Sequence, residues 1–328
     1  MSRFYRGLGW TIIWVIIGLI PAKGLALPDE TATTIRYYQK AFRYQYHRAL
    51  LKLVLSATED KYGPYRMQPF PATGKEVSEA RGLDLLEDGI IDVVFLSTSR
   101  EREAKFRPVR IPLLRGILGY RLLMIRRERQ AVFAKVRTLD ELRAEFIAGF
   151  NPQWADYPIY AANRIALVDT AAYSNLFGML VGSRFDYIPR GVNEIWEELA
   201  HFRTRFPDLA VESHLALYYP FPVYFFVRRD NEALAKRLET GLNRIKQNGR
   251  FAQLFWQYHG EAIARAKAGS RLIFLLDNPT LPEDTPAIDM SWWLPATAPP
   301  GSGVRAPDTT LPVSNTSPVR PSDNPHPH

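Results

Sequence analysis

Residues 85–102 read LLEDGIIDVVFLSTSRER. A helix end and a glycine lead into an apolar run, which opens directly onto Ser97, Thr98 and Ser99 and then onto Arg100 and Arg102. Two chemistries use these residue types. A hydroxyl nucleophile needs a general base beside it, and no motif ties a histidine to this segment. An anion clamp needs only a guanidinium, which grips a carboxylate through two parallel hydrogen bonds, and hydroxyls that supply the remaining donors. The same residues also suit a helix-capping loop, with a serine as cap and an arginine paired to Glu101 or Glu103.

Other catalytic patterns are absent. The six histidines form no HExxH pair, and the chain has neither a GxxxxGK[ST] phosphate loop nor a GxSxG elbow. It has no cysteine, which excludes disulfides, thiol catalysis and cysteine-ligated zinc. No metal or cofactor is expected. Further polar and aromatic groups follow apolar runs in the second half: Asn151 to Asp156 with Trp154 among them, Asp169-Thr170, and Pro189-Arg190-Gly191. Trp154 suits stacking on a ligand or filling a half-buried core position. Ligands bind at the carboxyl edge of open α/β sheets, so these groups and Ser97 to Arg102 are candidates for one site.

The elements that would position them alternate. Strands are expected at residues 33–38, 65–70, 90–96, 117–126, 145–150, 164–168, 184–188, 211–217 and 223–228. Helices are expected at 44–57, where Leu50, Leu51, Val54 and Leu55 share a face, and at 77–87, 139–145, 173–181, 193–206 and 231–258. Thr138 and Glu141 have capping-box spacing, and Asn248-Gly249 breaks the last helix. Alternation of this kind predicts an α/β fold of doubly wound, mostly parallel sheets. A glycine-to-aspartate unit after a helix occurs twice, at Gly89 to Asp92 and at Gly182 to Asp186, which points to two similar lobes.

At the amino terminus, Arg3 and Arg6 precede an apolar stretch from Leu8 to Ile20, then Pro21, with small residues at Gly24 and Ala26. This is the pattern of a secretory signal peptide over residues 1–26, so a periplasmic location is expected. The formal net charge is +8, and three of the basic residues (Arg3, Arg6, Lys23) lie in that leader. Elsewhere basic and acidic residues alternate, a solvated mixed-charge surface with no stripe for nucleic acid. Residues 271–276 suit a further strand or docking segment. Residues 278–328 are dense in Pro, Ser and Thr and are expected to be a disordered tail.

The order of these features resembles the family 3 extracellular solute-binding proteins, the periplasmic components of polar amino acid ABC transporters. Ser99-Arg100-Glu101-Arg102 after L-x-x-G-x-x-D is similar to the family's T-P-E-R region, residues 112–121 to its approach to the hinge, Gly182 to Tyr187 to its second-lobe element, and residues 238–255 to its late helix. The resemblance covers roughly residues 30–260. It implies a type II periplasmic-binding fold: lobe 1 from residues 27–126 and 220–277, lobe 2 from 127–219, two crossovers, and closure over a ligand. It implies a carboxylate grip at Arg102, with Arg100 as fallback, beside Ser97 and Thr98, and a ligand-facing aromatic at Tyr37 or Tyr38. Where the family places an acid for an α-amino group this chain has Pro189-Arg190-Gly191, so Arg190 favours a second anionic group on the ligand. The ligand site is thus expected at Tyr38, Ser97, Thr98, Arg102, Trp154 and Arg190. The expected function is capture of a small carboxylate by a monomer that hands it to an ABC permease. An enzyme on the same scaffold, with Glu194 or Asp156 as acid or base, and a sensory or interaction module are the alternatives.

Overall fold

The computed structural model describes residues 32–71, 77–291 and 294. The expected signal peptide and most of the Pro-rich segment lie outside them. In chain order the elements are β1 (Thr33–Tyr37), α1 (Gln45–Ser56), α2 (Glu59–Tyr62), β2 (Tyr65–Pro69), α3 (Glu79–Glu87), β3 (Val94–Ser97), α4 (Arg100–Lys105), β4 (Arg107–Val109) and β5 (Tyr120–Arg126). Then come α5 (Gln130–Phe133), α6 (Leu139–Glu145), β6 (Ala148–Phe150), α7 (Tyr157–Ala162), β7 (Leu167–Asp169), α8 (Tyr173–Val181), β8 (Tyr187–Gly191) and α9 (Val192–Arg203). The last elements among the described residues are β9 (Leu209–Val211), β10 (Leu215–Tyr218), β11 (Val223–Val227), α10 (Glu232–Gln247), α11 (Arg250–Ala266) and β12 (Leu272–Leu275).

Two α/β lobes result. In the first, β1 and β2 are parallel, and β11 lies antiparallel between β3 and β4. The two sheets meet where β1 passes β3, and a side chain completes the join. Buried Gln39 donates through Nε2 to the Phe95 carbonyl at 2.6 Å and accepts the Phe95 N–H through Oε1 at 3.0 Å. One amide thus mimics a ladder pair where the backbone has already turned away. The Leu50, Leu51, Val54 and Leu55 face of α1 is fully buried, as its helical spacing requires.

The second lobe is built on a seven-stranded sheet in the order β12-β10-β5-β8-β6-β7, with β9 also on β5. Every residue of β5 is buried. The crossovers run through residues 110–119 and 219–222. They touch backbone to backbone: the Tyr219 N–H donates to the Gly119 carbonyl at 3.2 Å. A Cβ on Gly119 would stand 2.0 Å from the Tyr219 carbonyl oxygen, so only glycine fits there.

Several boundaries differ from the sequence reading for identifiable reasons. Residues 90–92 form a bend and not the start of β3, because the Ile90 and Ile91 N–H groups turn back to the Leu85 carbonyl and those of Asp92 and Val93 go to Arg36. The strand expected at 184–188 is displaced to β8, so Pro189, Arg190 and Gly191 belong to it and pair with β5. Proline is tolerated because β6 pairs with β8 only at Tyr187, which leaves no ladder bond to lose on that side further along. The second late helix runs on to Ala266, about 26 Å of helix, which carries the chain across to add β12 to the second-lobe sheet and not to the first. Residues 278–291, placed in the disordered tail by composition, instead make defined contacts with the rest of the chain.

Candidate functional site at the inner edges of the two lobes

The first-lobe edge is built where β3 ends. Ser99 caps α4 by accepting the Arg102 N–H at 3.2 Å. This puts the Arg102 side chain back over the strand end, where Nη1 donates to the Ser97 carbonyl at 2.6 Å and to Ser97 Oγ at 2.9 Å. Its Nη2 is paired with Glu79, the first residue of α3. Thr98 donates to Glu103 at 2.5 Å, and Glu103 pairs with Arg110. The capping reading of this loop is therefore realised, and the Arg102 guanidinium holds a carboxylate of the chain itself, that of Glu79. Tyr38 is only 2% exposed and lies in the core with Leu85, Leu86, Val94 and Leu96, against Gly82. Burial raises the pKa of its hydroxyl, Tyr44 and Glu79 add to that, and Arg102 and Arg43 oppose it.

The second-lobe edge is denser. Arg190 leaves the end of β8 and meets Glu198 of α9 in a bidentate pair, Nε to Oε2 at 2.7 Å and Nη2 to Oε1 at 2.5 Å. Its guanidinium carbon lies 4.4 Å from the centre of the Trp154 ring, a cation–π contact. Trp154 also abuts Phe150 and Tyr173. Glu194, one turn before Glu198, accepts the Gly191 N–H at 3.0 Å, a capping contact at the start of α9, and stands 3.4 Å from Arg190 and 3.2 Å from Arg121. Arg121, 3% exposed on β5, pairs with Asp156 at 2.7 Å, and Tyr219 donates to the same carboxylate oxygen at 2.6 Å.

Burial alone would lower the pKa of both arginines. Tyr219 and then Asp156 and Glu194 at Arg121, and Glu194 and Glu198 at Arg190, outweigh it and raise both. Burial likewise works to raise the pKa of Glu194, but Arg190, Arg121, the Gly191 N–H and Arg43 together bring it below the usual value. Three carboxylates face two guanidiniums, so the cluster carries one excess negative charge.

Arg43 links the edges. It sits in the exposed 3-10 turn before α1, with its guanidinium 4.8 Å from the centre of the Tyr44 ring, and its charge acts on Tyr38 in its own lobe and on Glu194 in the other. Sequence reasoning missed Arg43, Arg121, Glu79 and Glu198. Arg121 had a signal: a lone charge inside an otherwise apolar strand must have a buried counter-ion. Arg43 stands in the aromatic and basic run AFRYQY, which the spacing arguments passed over. Of the expected residues, Ser97, Thr98 and Arg102 come together on one edge and Trp154 and Arg190 on the other. Among the described residues no cluster of metal-ligating side chains occurs, and no helix is long and apolar enough to cross a membrane.

No family model matches the chain, and no curated protein matches it. Solved structures do. A histidine kinase sensor domain with similarity to periplasmic binding proteins superposes with a TM-score of 0.50 at 16% identity, over 70% of this chain and 96% of that one. A chain solved in work on glutathione import in Gram-positive bacteria, with the cystine ABC importer of Streptococcus mutans, gives 0.51 at 12% identity over 70% and 95%. An ancestral arginine-binding protein bound to glutamine gives 0.50 at 12% over 70% and 98%. The chain has the two-lobed type II fold of the periplasmic binding proteins.

Proposed function

We propose that this protein is a secreted, periplasmic solute-binding protein that captures a small anionic ligand, an amino acid or another carboxylate, between its two lobes and presents it to an ABC permease. The observation that carries this reading is the inner edge of the first lobe. Arg102 is pre-oriented by the Ser97 carbonyl and hydroxyl, while among the described residues its outer Nη2 meets Glu79 alone, whose side chain is 45% exposed. A ligand carboxylate can take the place of Glu79 without disturbing the anchored side of the guanidinium. Arg43 supplies a second positive charge facing the same space, and Trp154 and Tyr173 offer ring surface from the other lobe. Closing the lobes over such a pair removes water and strengthens it.

A second reading has its own support. Arg190 is already matched by Glu198 and Glu194, and Arg102 by Glu79, so the arginines of both edges are paired within the chain. That arrangement fits a sensory module, the role of the kinase sensor domain with the same fold. Native mass spectrometry of freshly purified protein separates the two. Solute capture predicts a co-purifying small acid, which is lost from Arg102→Ala. A chain that carries no adduct and gains no thermal stability from any mono- or dicarboxylate contradicts it.

A further inference from the structure

We propose that the segment after β12 is a latch that holds the two lobes at a fixed angle and must detach for ligand to exchange. In the second lobe, Asn163 at the end of α7 exchanges two hydrogen bonds with Asp277, 2.8 Å and 3.0 Å long. At the crossover, Asn278 donates to the Pro220 carbonyl at 2.8 Å. In the first lobe, the Arg100 N–H donates to the Thr280 carbonyl at 2.8 Å, and the Arg100 guanidinium holds the carbonyls of Pro279 and Leu281. Beyond these, Arg110 pairs with Asp284 at 2.6 Å. Four consecutive residues thus span from one lobe to the other, and a chain this short cannot follow a rotation of the lobes without giving up one set of contacts.

Two features make it a latch and not a permanent weld. Its first-lobe contacts over residues 279–284 are polar and lie near solvent: Arg100 is exposed and Asp284 is 72% exposed, the kind of pair that is individually weak, while the Asn163 end is buried. Separate apolar packing holds the lobes, where α11 packs on α1, α10 and α9 and Trp196 donates to the Ala262 carbonyl at 3.1 Å, and beyond the polar stretch Met290 and Leu294 join the same core. That packing can serve as the fulcrum. The latch is also wired to the candidate site. Thr98, Glu103, Arg110 and Asp284 form an unbroken chain of hydrogen bonds from the β3 edge to the segment. A ligand that engages the Thr98 hydroxyl pulls on the same carboxylate that orients Arg110.

Its role as a gate rests on the ligand-capture reading, whereas its existence as a latch does not. The chain has no cysteine, so Lys52→Cys and Lys135→Cys, exposed on different lobes, take spin labels cleanly. Electron–electron distances are measured in the full-length, ligand-free protein. One narrow distribution is expected with the latch intact. A longer, broader one is expected with Arg100→Ala and Asp284→Ala combined, and a smaller change in the same direction with Asp284→Asn, which preserves size and the carbonyl clasp. Identical distributions in all three overturn the latch, as does a broad distribution in the parent. Latch-dependent widening in a chain that binds no carboxylate sinks the binding reading alone.

Discussion

Two pairs of buried ionisable groups, one in each lobe, are treated in opposite ways. The first lobe buries His47 and His259 among Tyr44, Tyr46, Phe95 and Phe255 and leaves His47 Nδ1 and His259 Nε2 without a partner, so both rings stay neutral. The second lobe buries Arg121 and Arg190 fully charged and matches them with Asp156, Glu194 and Glu198. Desolvation is the same in both places. What differs is whether a counter-ion is close enough to repay it. Both second-lobe guanidiniums are thus paired within a cluster of three carboxylates, whereas at the first-lobe edge Arg102 meets a single carboxylate, the 45% exposed Glu79.

The largest test of that contrast is removal of one charge from each lobe. Arg121→Met leaves buried Asp156 without its counter-ion and takes one of two arginines from Glu194, and is expected to cost about 3–5 kcal/mol. Arg102→Ala, whose one charged partner, Glu79, reaches solvent, is expected to cost about 1 kcal/mol. Urea unfolding of the two variants measures both, and equal losses would erase the distinction. Next in size is Gly119→Ala, where a methyl group meets the Tyr219 carbonyl across the crossovers. An expected cost of about 1–3 kcal/mol appears in the same experiment.

Acid separates the lobes more subtly. Burial lowers the pKa of His47 to about 3, with His259 and Arg48 adding to the effect, and burial lowers that of His259 to about 4. A histidine whose folded pKa is depressed binds its proton more readily when unfolded. Its contribution is complete above the unfolded value of about 6.5 and is lost progressively as pH falls toward 4 and 3. Glu194, also depressed, begins to lose its contribution only as pH falls through the ordinary carboxylate range and goes on losing it down to its lowered folded value. The first lobe should therefore loosen first. Hydrogen-exchange protection, corrected for the intrinsic rate at each pH, is expected to fall at pH 5 against pH 7 in α1 and α11 before α9, and His259→Phe is expected to flatten the loss. A uniform fall in protection across both lobes would contradict this.

The sequence reading succeeded where structure is local. The helix at 173–181 and the Thr138–Glu141 capping box are as their spacing requires, because each is decided within a few residues. Leu50, Leu51, Val54 and Leu55 were legible for the same reason. The first-lobe edge was largely readable too: Ser97 and Thr98 reach partners five residues away. The second-lobe edge was not, since Arg121, Asp156, Glu194 and Tyr219 are brought together only by the sheet. Pro189 and Gly191 look like loop residues, and it is the pairing of β8 with β5 that makes them strand. Tyr38 went to the core because Gly82 leaves room for its ring. The tail boundary was set too early because composition does not register Arg110 waiting for Asp284.

The central claim is that Arg102 holds a ligand carboxylate in the position now taken by Glu79. Thermal unfolding with a panel of small mono- and dicarboxylates tests it across the parent, Arg102→Ala and Glu79→Gln. The account predicts a ligand-induced rise in Tm for the parent, none for Arg102→Ala, and a larger one for Glu79→Gln, in which the competing charge is gone. A rise that survives Arg102→Ala unchanged, or that Glu79→Gln abolishes, would contradict it.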